Sequence, residues 1–454
     1  MNLIFTVKSL YIPKNFSNFA PDLVCVIARV GIEDLKMLFG EHPELAAARK
    51  ELAHNNAHVL LSGLHASARA LAIAAINSGA TALNSSKGTC MFVIFDNAES
   101  AQYIYSDLRS LESRGANEHS GTSQESRVFF FPHSQKRRAV DEAAQIQRTE
   151  CLTALTRAEG LRVRGDGLQE PLIIVTYPEA IAEPVPAKEE LSAISFQLSV
   201  GQEVKQSDLS IQLSDLGFER VDFVFQPGQY AVRGSIVDVY SYSHDDPYRL
   251  DFFGDEIDSI RTFDIEDQLS KNRIDSAEIV GSSKDWTLDI GHWTIVDYLT
   301  KETVWVSNDW SVVNFKLTGL GISELGISEK RTLEMAEKST FATHSKIAFD
   351  TTPQPVFHKQ FDILTDDLKK HIDEGYKIYI LAEQQKQLDR LKAIFESLVE
   401  STKTKDRPSD SKPLSTLNDS GLSSLSDEVA VSFIGINATL HEGFVDKGLK
   451  ICCY

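Results

Sequence analysis

Three β-type runs separated by turn residues lie between residues 227 and 264, and this pattern limits the possible folds more than any other. The runs are Ala231 to Tyr242, Tyr248 to Phe253 and Ile257 to Phe263. They are rich in β-branched and aromatic residues, which suit a pleated surface. The connections, Asp245-Asp246-Pro247 and Gly254-Asp255, are short, and short connections favour antiparallel neighbours. The region therefore predicts an antiparallel meander.

The second run has two different faces, since alternate side chains of a strand point to opposite sides. One face carries Tyr248, Leu250 and Phe252, and the other carries Arg249, Asp251 and Phe253. If the second face is open to solvent, Phe253 is an exposed ring beside a cation, a combination enriched at interface anchors. Arg233 and Arg261 on the flanking runs can lie across from it. The alternative is that Phe253 belongs to the core and the arginines form local ion pairs.

Apolar runs alternate with helical stretches between residues 55 and 190. The predicted strands are His58 to Leu64, Met91 to Phe95, Val128 to Phe131 and Leu172 to Val175. The predicted helices are Ser67 to Ile76, Ala98 to Leu111 and Arg138 to Arg157. This alternation predicts an α/β fold whose parallel sheet is covered by helices on both faces.

The length of 454 residues exceeds what one hydrophobic core supports, so we expect several domains. We predict an α/β domain over residues 1–190 and 266–350, an inserted α+β domain over 191–265, and a small α/β domain over 351–454. A stretch rich in Ser, Asp and Lys at 401–427 predicts a disordered surface loop. The chain stops in an apolar stretch, Leu449 to Cys453, which favours a part of a longer protein.

Charge and cysteine content restrict the class of partner and the compartment. A net charge of −19 argues against general DNA binding, which depends on Lys and Arg contacts to phosphates, and favours protein partners. The five cysteines show no CxxC pair and no histidine at metal-ligand spacing, so we predict reduced thiols and no metal site. A signal-peptide pattern and a membrane-length apolar run are both absent from the sequence, which predicts a cytoplasmic protein without a membrane partner.

The turn between the first predicted strand and helix has the setting of a phosphate-binding loop. A working loop reads GxxxxGK[ST]: its backbone N–H groups wrap the phosphates, its Lys reaches them, and its hydroxyl holds Mg²⁺. Here Gly63 keeps the first position, but Ala68, Arg69 and Ala70 replace the second Gly, the Lys and the hydroxyl residue. A Cβ restricts the backbone, a planar guanidinium replaces a point charge, and Ala cannot bind a metal. The loop therefore predicts no nucleotide cofactor and no catalysis.

Two blocks, PGQYAVRG at 227–234 and PYRLDFFGDEIDSIRTFD at 247–264, resemble the bacterial transcription-repair coupling factor (Mfd) family. They are similar, more loosely, to the insert domain of UvrB. In both families this domain docks UvrA, so the resemblance implies UvrA contacts at Arg233, Arg249 and Phe253, with Arg261 as support. It also implies a non-catalytic UvrB-like module that recruits UvrA to RNA polymerase stalled at DNA damage in nucleotide excision repair.

The same resemblance carries further expectations. The whole protein is expected to be an ATP-dependent DNA translocase that reaches RNA polymerase and DNA through a C-terminal part and folds that part back on the UvrA surface. UvrB ends one strand in an Asp-Glu pair, and the comparable positions are Asn308 and Asp309, a degenerate acidic motif after the apolar run Val304 to Val306. The Tyr-rich hairpin with which UvrB grips DNA has no counterpart between residues 96 and 140. The alternative function is a nucleotide-dependent, UvrB-like helicase fragment with residual ATP binding.

Overall fold

The structure is a computed structural model that describes residues 31–54, 56–78, 90–112, 127–136, 139–164, 172–281, 293–322, 325–339, 345–357, 360–405 and 433–454. Its described helices are all too short or too polar to cross a membrane. Cys90, Cys151, Cys452 and Cys453 are free thiols.

Helices and strands alternate over residues 31–194. The helices are α1 (Ile32–Gly40), α2 (Pro43–Leu52), α3 (Ala68–Ser78), α4 (Ala98–Glu112), α5 (Glu142–Arg164), α6 (Pro178–Ile181) and α7 (Lys188–Ala193). The strands are β1 (His58–Ser62), β2 (Met91–Ile94), β3 (Val128–Phe130), β4 (Gln135–Lys136), β5 (Ala139–Val140) and β6 (Ile173–Thr176). The strands and helices predicted from the sequence are all present here, with shifted ends.

The middle of the chain is mostly β-structure. Its elements are β7 (Ser195–Ser199), α8 (Gln206–Asp215), β8 (Glu219–Arg220), β9 (Gln229–Arg233), β10 (Ile236–Tyr240), β11 (Tyr248–Phe253), β12 (Glu256–Phe263), β13 (Ser270–Ile274) and β14 (Ser276–Val280). They are followed by β15 (Val304–Ser307), α9 (Trp310–Gly319), β16 (Arg331–Met335) and β17 (Ser345–Ala348), with short 3₁₀ turns at Ile295–Tyr298 and Ile327–Glu329.

Seven parallel strands form the central sheet, in the order β17-β1-β16-β15-β2-β6-β3. This confirms the predicted parallel sheet. Its strands come from both sides of the middle region, because β15, β16 and β17 complete the sheet that β1, β2, β3 and β6 begin. The sheet interior is apolar on both faces, as the complete burial of Phe92, Val93 and Val306 illustrates.

The middle region contains a six-stranded sheet in the order β13-β12-β11-β10-β9-β8, antiparallel except for the β8–β9 pair. The meander is confirmed, but the prediction of one strand over Ala231 to Tyr242 is wrong. The chain reverses at Gly234-Ser235, where Gly234 has φ 63°. A glycine with positive φ at the first central position suits a two-residue hairpin turn, so this run is two strands, β9 and β10.

Strand pairing in this region continues past residue 265, the end that the sequence predicted for the insert. β13 pairs with β12, and β14 pairs antiparallel with β7, matching Val280 with Ser195. The chain therefore enters and leaves the six-stranded sheet through one two-stranded ribbon. The inner face of the sheet packs on α8 through Leu209 and Leu213, which are fully buried.

The C-terminal region adds a mixed five-stranded sheet in the order β18-β21-β22-β19-β20. Its elements are β18 (Thr351–Pro353), α10 (Phe361–Asp373), β19 (Lys377–Leu381), α11 (Gln385–Lys405), β20 (Ile434–Ile436), β21 (Phe444–Asp446) and β22 (Ile451–Cys453). The loop predicted at 401–427 begins too early, since α11 continues to Lys405 because the polar residues 401–405 include no Gly or Pro to end it. Residues 406–427 lie outside the described part.

His42 joins the N-terminal helices to the C-terminal sheet. Its side chain is buried, with Nδ1 hydrogen-bonded to Glu44 and Nε2 3.5 Å from the Asp446 carboxylate. Burial lowers the pKa of His42, but hydrogen bonds and charge from Asp446 and Glu44 outweigh it, and the pKa is raised overall. The protonated ring is therefore favoured in the folded chain.

The His42 geometry predicts a pH-dependent contribution to stability. Because the folded pKa lies above the unfolded value of about 6.5, the contribution is fully present below that pH and is lost as the pH rises through the folded pKa. Urea unfolding of wild type and His42→Gln from about pH 6 to about pH 8 measures it. We expect the stability difference between the two proteins to shrink as the pH rises; a difference that is constant or grows contradicts the assignment.

Candidate functional site

The candidate binding surface is the outer face of the six-stranded sheet, the face away from α8, which carries Arg233, Asp238, Arg249, Phe253 and Arg261. The alternation predicted for β11 is confirmed, because Leu250 and Phe252 are buried whereas Phe253 is 83% exposed. Phe253 lies immediately before the Gly254-Asp255 turn, where Gly254 has φ 67°. A ring this exposed gains nothing from the core, so the interpretation of Phe253 as a core residue does not hold.

The arginines behave differently from the ring. The Arg249 guanidinium donates from Nε to Asp238 Oδ1 at 2.8 Å and from Nη2 to Oδ2 at 3.0 Å. It also donates to the Gln268 carbonyl at 3.0 Å and lies 4.2 Å above the Phe263 ring. Arg233 forms a second ion pair with Asp238, whose side chain is completely buried. For Arg233 and Arg249, the alternative of local ion pairs is therefore correct.

The register separates Phe253 from the cations expected to face it. Arg261 lies opposite Arg249, and Phe253 lies opposite Glu256. Arg233 is further away than the sequence predicted, because β10 lies between β9 and β11. Arg261 is half-buried and has no ion-pair partner within the described residues. The outer face therefore presents an exposed ring at the turn end of β11 and a row of two cations, Arg249 and Arg261, about 13 Å further along the strand.

The loop between β1 and α3 is held by protein groups rather than open to a ligand. The backbone N–H of Gly63 donates to the Glu337 carboxylate at 3.1 Å, and that of His65 donates to the Thr351 hydroxyl at 2.9 Å. The N–H of Ser67 donates to the Glu442 carbonyl at 3.3 Å. Three of the donors that such a loop offers to phosphates are thus already satisfied within the chain.

The substituted positions of this loop are packed and turned away. Ala68 and Ala70 open α3 and are fully buried. Arg69 folds back so that its Nε donates to the Leu64 carbonyl at 3.0 Å. Burial lowers the pKa of Arg69 against the opposing charges of three carboxylates, those of Glu442, Glu337 and Asp96. Gly63 has φ 74°, and a Cβ there would collide with the Phe349 carbonyl oxygen, so the retained glycine serves chain packing.

The two positions of the degenerate acidic motif have structural contacts. Asp309 is the N-cap of α9: its Oδ1 accepts from the backbone of Ser311 at 2.9 Å and of Val312 at 3.1 Å. Asn308 donates from Nδ2 to the Asp96 carboxylate at 3.0 Å. An N-cap carboxylate is committed to the helix end.

Several residues that contact the predicted site residues were not predicted from the sequence. Asp238 was hidden because an Asp inside a strand has no motif, although its register opposite Arg249 would have revealed it. The groups that fill the β1–α3 loop, Glu337, Thr351 and Glu442, come from segments remote in sequence, and only the fold brings them together.

A family model described as the UvrB interaction domain matches residues 196–284. The chain is 27% identical to the transcription-repair-coupling factor of Bacillus subtilis over 236 residues, which are 50% of this chain and 18% of that protein. It is 39% identical over 80 residues to the Escherichia coli protein of the same name, covering 18% of this chain and 7% of the relative. It is also 39% identical over 83 residues to UvrABC system protein B of Methanococcus maripaludis, covering 18% of this chain and 13% of the relative.

These similarities indicate the class of the middle region first: residues 196–284 match the UvrB interaction domain family. The further similarity over half of the chain supports a UvrB-like module of the transcription-repair coupling factor type, as the resemblance in the sequence implied. The matched segment spans less than a fifth of the length of each of these relatives, with 18% as the largest share.

Proposed function

We propose that the outer face of the UvrB interaction domain binds UvrA, and that this chain serves as a non-catalytic recruitment module in nucleotide excision repair. The observation that carries the proposal is the exposure of Phe253, 83%, on the face bearing the cation row. Large aromatic side chains that anchor interfaces cost ~2 kcal/mol or more when truncated. A ring left in water by the fold is available for such a contact.

The arginine network, formed by Arg233 and Arg249 on Asp238, orders this face before a partner binds. Arg249 is held by four contacts, to both Asp238 oxygens, to a carbonyl and to the Phe263 ring, so its position is fixed before binding. A surface that is ordered in advance loses less conformational entropy on association. Arg233 and Arg249 therefore shape the surface and set its charge, whereas Phe253 and Arg261 are free to contact UvrA.

Direct binding of this chain to purified UvrA tests the proposal, by biolayer interferometry at low and high salt. We expect saturable binding that weakens with salt, because cations on the face contribute to association. An interface of roughly 1,600 Å² or less would suffice. If UvrA at high micromolar concentration gives no signal, the domain does not perform this function.

The wider role follows from the relatives and is part of the same proposal. In the whole protein, other parts of the chain would translocate on DNA using ATP and contact RNA polymerase stalled at damage, while this module recruits UvrA. Those parts could also fold back over the outer face and mask it. Comparing the UvrA affinity of this chain with that of a longer protein tests the masking.

The strand–turn–helix at Gly63 in a parallel sheet is the one observation in favour of the alternative function, residual nucleotide binding. The filled loop argues against this alternative, so we expect no binding of labelled ATP with Mg²⁺. The triple variant Ala68→Gly, Arg69→Lys, Ala70→Thr is also expected to fail, because the N–H groups of Gly63, His65 and Ser67 already have partners. Fluorescence anisotropy measures both proteins. Micromolar binding by wild type would support the UvrB-like alternative.

A further inference from the structure

A groove lies along the edge of the six-stranded sheet where β8 stops covering β9. β8 pairs only with Gln229 and Tyr230, and its last contact is the N–H of Val221 donating to the Tyr230 carbonyl at 2.9 Å. The chain then leaves the sheet through residues 222–226. The second half of β9, after Tyr230, is therefore an open edge that β8 does not cover.

The open edge presents the backbone of Val232. In an antiparallel ladder, residues alternate between directing both backbone groups at the partner strand and directing both away from it. The Tyr230 carbonyl points towards β8, so the groups of Val232, two residues on, point the same way. No described residue provides a hydrogen-bond partner for the Val232 N–H or C=O. An unpaired N–H and C=O on a strand edge form a template for another strand.

Side chains line a cavity beside this edge. A cavity of about 600 Å³ is lined by Arg220, Val221, Asp222, Phe223, Val232 and Arg233. The Phe223 ring is 47% exposed, and the Arg233 guanidinium lies 4.8 Å from its centroid. The ring therefore contacts a cation that is itself ion-paired with Asp238.

Contacts with the outer face of the sheet and with Gln229 hold the segment that carries Phe223 in place. Val224 is completely buried in a small cluster with Ala231, Tyr240 and Phe263 on the outer face. The backbone N–H groups of Phe225 and Gln226 both donate to the Gln229 side chain, at 3.0 and 3.2 Å. Because these contacts fix the segment, the groove is a preformed feature of the fold.

The charge around the groove favours an acidic occupant. Arg220 is exposed and has no ion-pair partner among the described residues. Arg233 shares the single carboxylate of Asp238 with Arg249, which leaves one excess positive charge in that cluster. Asp222 offsets only one of these cations. The three arginines and two aspartates that line the groove or pair with its lining therefore carry a net charge of +1, in a chain with a net charge of −19.

We propose that the groove receives an extended acidic segment of UvrA, which adds a strand to the open edge of β9. The segment would hydrogen-bond to the backbone of Val232, place an apolar or aromatic side chain against Phe223, and pair its carboxylates with Arg220 and Arg233. This mode is β-augmentation, in which main-chain hydrogen bonds supply affinity and flanking side chains supply specificity. The inference rests on the proposed function, because it names UvrA as the occupant. Through Arg233, the groove is continuous with the face that carries Phe253.

The test combines hydrogen exchange with affinity. In wild type, we expect saturating UvrA to slow hydrogen exchange of the Val232 amide. In the free chain this amide is unpaired, whereas the amides of the residues before and after it point towards β10. Phe223→Ala and Arg220→Glu are each expected to weaken UvrA binding by roughly tenfold, within the range of single interface residues. Ile211→Ala, at a 61% exposed position on α8 behind the sheet, is the matched control and should bind like wild type.

The outcomes separate this inference from the proposed function. If Phe253→Ala weakens binding while both groove variants bind normally and the Val232 amide exchanges at its free rate, UvrA uses the outer face alone and the groove inference is wrong. If wild type does not bind UvrA, both the proposed function and the groove inference are wrong. Slowed exchange at Val232 together with weakened binding by the groove variants supports the added strand.

Discussion

Phe253→Ala is expected to weaken UvrA binding by roughly 30-fold or more, the equivalent of about 2 kcal/mol, while the fold stays unchanged. The reason is the 83% exposure of the ring, which touches solvent rather than core. Surface substitutions of this kind change stability by about 0.5 kcal/mol or less. The measurement is a titration of UvrA against wild type and variant, with circular dichroism and thermal unfolding recorded on the same samples.

The matched control for this variant is again Ile211→Ala, which removes an exposed apolar side chain from the same domain on the opposite side of the sheet. It should bind UvrA with wild-type affinity. Equal affinities for Phe253→Ala and wild type would remove the ring from the interface and leave the proposed surface without its main support.

Asp238→Asn is expected to destabilise the UvrB interaction domain by about 3–5 kcal/mol, because removing one partner of a buried ion pair leaves the others uncompensated. The Asp238 side chain is completely buried and holds both Arg233 and Arg249. An amide keeps the shape but loses the charge and one acceptor. Urea unfolding followed by circular dichroism should show an early transition for this domain.

Asp258→Asn is the control for charge removal, since Asp258 is exposed on β12. It should unfold like wild type. Wild-type stability of Asp238→Asn would mean that the arginine network contributes little to the fold.

The same network affects how arginine variants are interpreted. Arg249→Ala breaks contacts inside the domain. Loss of UvrA binding by that variant therefore reports on the interface only if its unfolding curve is unchanged.

The sequence was informative where one local pattern determines the structure. β11 has the predicted bounds, Tyr248–Phe253, because alternation and flanking turn residues act within a few positions. The parallel sheet was predictable because buried strands of such sheets are apolar throughout. The hairpin at Gly234 was missed because the apolar character continues on both sides of the glycine; the antiparallel pairing of β9 with β10 and the positive φ of Gly234 show the reversal.

The site was less predictable than the fold, because its contacts depend on register and on distant segments. The pairing of Arg249 with Asp238 requires knowing that β10 and β11 are aligned at those residues. The position of Arg261 opposite Arg249, rather than opposite Phe253, is another register effect. The contacts that fill the loop at Gly63 join residues more than 270 positions apart, such as Gly63 and Glu337 with a separation of 274.

The ribbon of β7 and β14 makes the intervening domain a transferable unit. Ser195 and Val280 are paired across it, so the two points where the chain crosses this boundary lie about 5 Å apart. Excision of everything between them would leave a gap that a short turn could close, and the same piece could be spliced into a hairpin of an unrelated host. A domain delimited in this way could move between proteins by a single insertion, without redesign of either the donor or the recipient core.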